Sequence, residues 1–174
     1  MYPINKKYTK VTLPKIFMPF ECKNIIRLGK DYDGGYLVNL NDVQKTKTLI
    51  SFGIKDDYSF EKDFSKINDC EILCFDREYI IDQNDNFFKN HRKIIRKHVD
   101  TLKTETTECF DDIINSKENG IFLKCDIEGA EYELLDTIIR YSKIFSGIVI
   151  EFHNTNIYEN FNQLSSAHMA KSSS

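Results

Sequence analysis

Apolar residues in this chain fall into short continuous runs and into three- and four-residue periodicities, and the two kinds alternate. Thr48 to Gly53 (TLISFG), Glu71 to Asp76 (EILCFD), Ile121 to Cys125 (IFLKC) and Gly147 to Phe152 (GIVIEF) are runs of strand length. Strands without polar alternation belong in the middle of a parallel sheet covered on both faces. After the first run, Ser59, Phe60, Phe64 and Ile67 predict a helix with Asp56 or Asp57 near its N-cap. After the third, Tyr132, Leu134, Leu135, Ile138, Ile139 and Tyr141 predict a longer helix. Its apolar stripe faces the sheet, and Glu131, Glu133, Asp136 and Arg140 occupy the other positions. Ile25 to Leu40 reads as two short strands around the turn DYDGG. Ile94, Ile95 and Val99 suggest a further strand, and Thr107 to Ile114 a short helix. This alternation predicts an α/β fold, a doubly wound and mostly parallel sheet with flanking helices and right-handed crossovers.

The candidate chemistry gathers where strands end. Asp126 and Glu128 follow the Ile121 to Cys125 run, and Gly129 lets the backbone turn into the helix behind it. Open α/β sheets bind ligands at that edge. Glu151 and His153, two apart at the end of the last run, share one side of an extended strand, and so do Asp126 and Glu128 if the backbone stays extended. Asp-x-Glu and Glu-x-His are weak ligand patterns without a third fixed spacing, so no metal ligand is assigned. Asp76 follows Gly53 at close to the roughly 20-residue spacing at which a dinucleotide-type fold sets a carboxylate on a ribose diol. Asp33 and Tyr36 flank the DYDGG turn, which is either a plain hairpin or a lid over a substrate or cofactor. The basic run around Lys89, Arg92, Lys93, Arg96 and Lys97 reads as a solvated face.

The 174 residues suit one domain, with residues 1–24 as an N-terminal arm, 25–161 as the folded unit and 162–174 as a low-complexity tail. Asn154 to Leu164 still reads as helical. Hydrophobic residues make up 41% and the net charge is −3, the composition of an ordinary soluble protein without the basic face a nucleic-acid partner requires. The N-terminal lysines precede no signal-like apolar segment, and no run reaches the roughly 20 residues of a membrane span. The expected setting is cytoplasmic. The five cysteines include no CxxC pair; Cys70 and Cys74 on one strand would be ~13 Å apart, too far for a disulfide, so buried free thiols are expected.

Three segments, RLGKDYDGGYLV, LISFGIKDDYSFEKDF with ILCFD, and IFLKCDIEGAEYELL with IVIEFH, together resemble the FkbM-like methyltransferases, a branch of the class I S-adenosylmethionine-dependent enzymes. The likeness covers Ile25 to His153 and implies a Rossmann-like domain that methylates a sugar, glycan or small metabolite on oxygen. It implies that Ser51, Phe52 and Gly53 form the first cofactor loop, and that Asp76, with Arg77 beside it, holds the adenosyl ribose. Asp126 and Glu128 would lie near the methionine end or the acceptor, with His153 near the acceptor. His153 or Asp126 would take the acceptor proton. The first loop has one glycine where several are usual. The class I fold also closes with a helix and an antiparallel strand pair, for which no residues remain. A C-terminally incomplete domain of reduced activity is therefore expected, with GIVIEF as an open edge through which two copies could pair. The alternatives are a non-catalytic or truncated Rossmann-like binding module and a nicotinamide-dependent oxidoreductase.

Overall fold

The computed structural model describes residues 20–79 and 86–153. Most of the expected arm, and the helix and tail expected from Asn154 onward, lie outside the described residues. Strands β1 (Ile25–Leu28) and β2 (Tyr36–Asn39) form the expected antiparallel hairpin. Helix α1 (Leu40–Gln44) leads into β3 (Thr48–Phe52), α2 (Ser59–Ile67) and β4 (Glu71–Phe75). Next come β5 (Arg92–Ile95), β6 (His98–Asp100), β7 (Thr107–Cys109) and α3 (Phe110–Asn115). The described chain closes with β8 (Ile121–Cys125), α4 (Glu131–Arg140) and β9 (Phe145–Ile150).

Five strands form the central sheet in the order β5-β4-β3-β8-β9, and every neighbouring pair is parallel. This is an α/β Rossmann-like fold. The path starts at β3, steps outward through β4 and β5, then returns across β3 to β8 and β9. That reversal opens a crevice at the carboxyl ends of β3 and β8.

Both central strands, β3 and β8, are buried at every position. Leu49 and Phe122 pack on one face with Phe60 and Phe64 of α2. Ile50, Phe52, Ile121 and Leu123 pack on the other with Phe110, Ile113 and Ile114 of α3 and Leu134 and Ile138 of α4. Two covered faces leave no position for a solvated side chain, which is why these runs show no alternation. Each phenylalanine so buried contributes about 1.5–3 kcal/mol.

Several local expectations shift. Ile94 and Ile95 lie in β5, whereas Val99 lies in β6, which pairs with β7 outside the central sheet. Thr107 to Cys109 is therefore strand, and the helix begins at Phe110; pairing with His98 to Asp100 and the β-branched Thr107 outweigh the helical pattern. On α4 the buried stripe is Glu131, Leu134, Thr137 and Ile138, while Tyr132 and Ile139 are 45% and 68% exposed. The stripe rotates because Glu131 finds polar partners inside, as described below. All five cysteines are free as expected, but Cys22 is exposed and Cys109 only half-buried. Among the described residues no helix is long and apolar enough to cross a membrane.

Candidate active-site cleft

β3 ends at Gly53, whose φ is +73°; a Cβ there would lie 1.7 Å from the carbonyl oxygen of Asp126. Only glycine permits β3 and β8 to leave the sheet this close together. Gly53 N donates to Phe75 O at 3.0 Å, and Asp126 N donates to Phe52 O at 3.0 Å. The loop that follows is tied to Asp76, whose Oδ2 accepts from Ile54 N at 2.9 Å and Lys55 N at 2.6 Å. Its Oδ1 accepts from Glu78 N at 2.7 Å. Three of the carboxylate's roughly four acceptor positions are thus occupied, leaving one for a ligand hydroxyl. At the start of α2, Asp57, one residue before the N-cap Tyr58, accepts from Ser59 N on Oδ1 at 3.0 Å, so one of that pair of acids does lie near the N-cap.

Beneath this loop lies a buried charge pair. Lys124, on the α2 face of β8, is 3% exposed; its Nζ donates to Gly53 O at 2.7 Å and lies 3.8 Å from Glu61 Oε1. Ser51 donates to the same Glu61 oxygen. The ammonium, with Glu61 as its counter-charge, holds the carbonyl of the loop's one glycine from below.

The opposite rim is built by β8, β9, α4 and the hairpin. Tyr36 reaches across from β2, its Oη 2.8 Å from Asp126 Oδ2 and 2.7 Å from Glu151 Oε2. A phenol has one proton, so it serves these two carboxylates alternately. Burial and both carboxylates hold that phenol protonated well above the ordinary tyrosine range. The fully buried Glu131 receives Gly129 N on Oε2 at 2.8 Å and His153 N on Oε1 at 2.6 Å. Burial alone would raise the Glu131 pKa, but these amides outweigh it and hold the carboxyl below its usual range. An ionised Glu131 only accepts, so His153 Nδ1, 3.3 Å from Oε1, carries the proton between them. The imidazole's Nε2 then faces Asp126, Glu128 and Glu151. Burial favours the neutral ring, yet Glu131, Glu128 and Asp126 prevail and raise the His153 pKa above its ordinary value.

These two halves enclose a cleft of about 850 Å³. Phe52, Gly53, Asp76, Asp126, Glu128 and His153 all line it. Ser51 and Arg77 do not: Ser51 is buried against α2, and Arg77 is an exposed residue just beyond β4. Glu128 has φ of +56°, so the backbone does not stay extended after β8; it reaches the His153 side of the rim through that left-handed turn. Two contributors escaped sequence reasoning, and a third was singled out without its role. Lys124 was detectable as a charged position inside a continuous apolar run, and Glu131 as the acid that begins α4. The role of Tyr36, flagged only as a turn neighbour, depends on contacts 90 and 115 residues away.

Nine carboxylate residues and two lysines line the cleft. Such a wall favours a cation and disfavours a pyrophosphate. A family model described as methyltransferase FkbM domain matches residues 17–170. Comparison with curated proteins and with solved structures gives no match.

Proposed function

Because the chain belongs to the FkbM methyltransferase domain family, we propose that the cleft binds S-adenosylmethionine and serves transfer of its methyl group to an oxygen of a sugar, glycan or small metabolite, leaving S-adenosylhomocysteine. The observation that carries this reading is the acid-lined crevice at the point where the strand order reverses. When bound, S-adenosylmethionine supplies a methyl group on a sulfonium, a positive charge that the surrounding carboxylates favour. Asp76 would accept one ribose hydroxyl on the remaining position of Oδ1, a charge-assisted contact. The loop from Gly53 to Asp56 would border the adenosyl end, with Lys124 fixing its backbone.

At the far rim Asp126 and His153 are the candidate proton acceptors, and the cleft wall would align the acceptor oxygen before them. A nicotinamide cofactor fits less well. Its pyrophosphate would face Asp56 and Asp57 on a loop with a single glycine, where phosphate-binding loops offer several backbone N–H groups.

Calorimetric titration with S-adenosylmethionine, with NAD in parallel, tests the proposal. Saturable binding that Asp76→Ala weakens is the expected result. No binding by a well-folded chain would refute it, and binding of NAD alone would favour an oxidoreductase.

A further inference from the structure

We propose that Asp126, Glu151 and His153 form a divalent metal-ion site at the rim of the cleft, with Glu128 as a further ligand. One donor atom from each of the first three lies within 4.8 Å of the others. His153 Nε2 is 3.7 Å from Asp126 Oδ1, 3.7 Å from Glu128 Oε2 and 3.9 Å from Glu151 Oε1. Such separations are too long for hydrogen bonds. They suit donors sharing one ion: with bonds of about 2.1 Å, octahedral neighbours stand about 3 Å apart and opposite donors about 4.2 Å.

The other donor atom of each of the three is already held. Tyr36 Oη lies against both Asp126 Oδ2 and Glu151 Oε2 and donates to one of them at a time, and His153 Nδ1 is turned to Glu131 Oε1. Glu131 is itself fixed by two backbone amides. What remains facing the gap is Asp126 Oδ1, Glu151 Oε1 and His153 Nε2. Outer hydrogen bonds of this kind set the tautomer and orientation of metal ligands. Charge points the same way. Four carboxylates meet one imidazole here, and the neighbouring Lys124 is engaged with Gly53 O and Glu61. A dication supplies the missing positive charge. One imidazole among carboxylates suits Mn²⁺, Fe²⁺ or Zn²⁺ better than an all-oxygen ion such as Ca²⁺.

The site goes beyond methyl transfer and does not rest on it. If that reading also holds, Asp126 and His153 act as ligands in place of proton acceptors, and the ion lowers the pKa of an acceptor hydroxyl bound to it, whose proton passes to water.

The test is Mn²⁺ titration of the full chain by electron paramagnetic resonance, without cofactor or acceptor. One ion per chain is expected, with spin-echo modulation from an imidazole nitrogen that His153→Gln removes. Asp126→Asn and Glu151→Gln should each weaken binding tenfold or more, and Asp112→Asn, on the exposed side of α3, should leave it unchanged. The nitrogen modulation is read on the wild-type chain and needs no variant to fold. Absence of saturable binding by folded wild-type protein, absence of the modulation, or unchanged affinity in both folded carboxylate variants would overturn the site.

Discussion

At the scale of single residues, the cleft depends on groups that hold the backbone rather than touch a ligand. Lys124 is buried with one carbonyl and one carboxylate as partners, so Lys124→Ala strands Glu61 without a counter-charge. Loss of about 3–5 kcal/mol is expected, measured by urea denaturation, with much of it recovered in Lys124→Ala combined with Glu61→Gln. Gly53→Ala forces a methyl group into the Asp126 carbonyl as well as an unfavourable φ. It should cost more than the roughly 1 kcal/mol of a left-handed alanine and weaken cofactor binding measured by calorimetry. Much of this was legible. Asp76, Asp126 and His153 announce themselves as polar residues at the ends of apolar runs. Lys124 shows only as a charge inside an apolar run, and its role, like that of Tyr36, does not show, because which face a strand presents, and what lies across the sheet from it, are properties of register and not of local pattern.

Among elements, the inner strands β4, β3 and β8 could be read from their apolar runs, since burial on both faces writes itself without polar alternation. Peripheral elements could not. β6 and β7 are three residues each and exist through their mutual pairing, and the buried face of α4 is set by the polar partners of Glu131. A similar polar junction ties β3, β4 and the turn after α3. Glu71 Oε2 meets Lys117 Nζ at 2.7 Å and the Thr48 hydroxyl at 3.1 Å. Burial raises the Glu71 pKa, but Lys117 and Thr48 outweigh it and hold the carboxyl below its usual range. An unfolded glutamate takes up its proton near pH ~4.3, while the folded one stays ionised to lower pH. The stabilisation is therefore complete above that point and is lost as pH falls through the folded value. Glu71→Gln should flatten this part of the acid limb in a plot of unfolding free energy against pH; an unaltered limb would show that the junction contributes nothing.

For the whole molecule, the division between a protected sheet and an open cleft should be visible in its thiols. Burial pushes Cys70 up to about 11 and Cys125 up to about 12, and raises Cys74 well above the ordinary thiol value. Thiolate, the reactive form, is scarce at all three. With a thiol reagent at neutral pH, Cys22 should modify first and Cys109 next, with the remaining three reacting only on unfolding; mass spectrometry of the labelled chain reads this directly. The contact made by Tyr36 has a consequence in time. It joins positions separated by 90 and 115 residues, whereas α2 and α4 close within their own turns. Closing so long a loop carries a large entropic cost before any contact repays it. During refolding, helical signal should therefore return ahead of the competence to bind a ligand, and Tyr36→Phe should lengthen that lag.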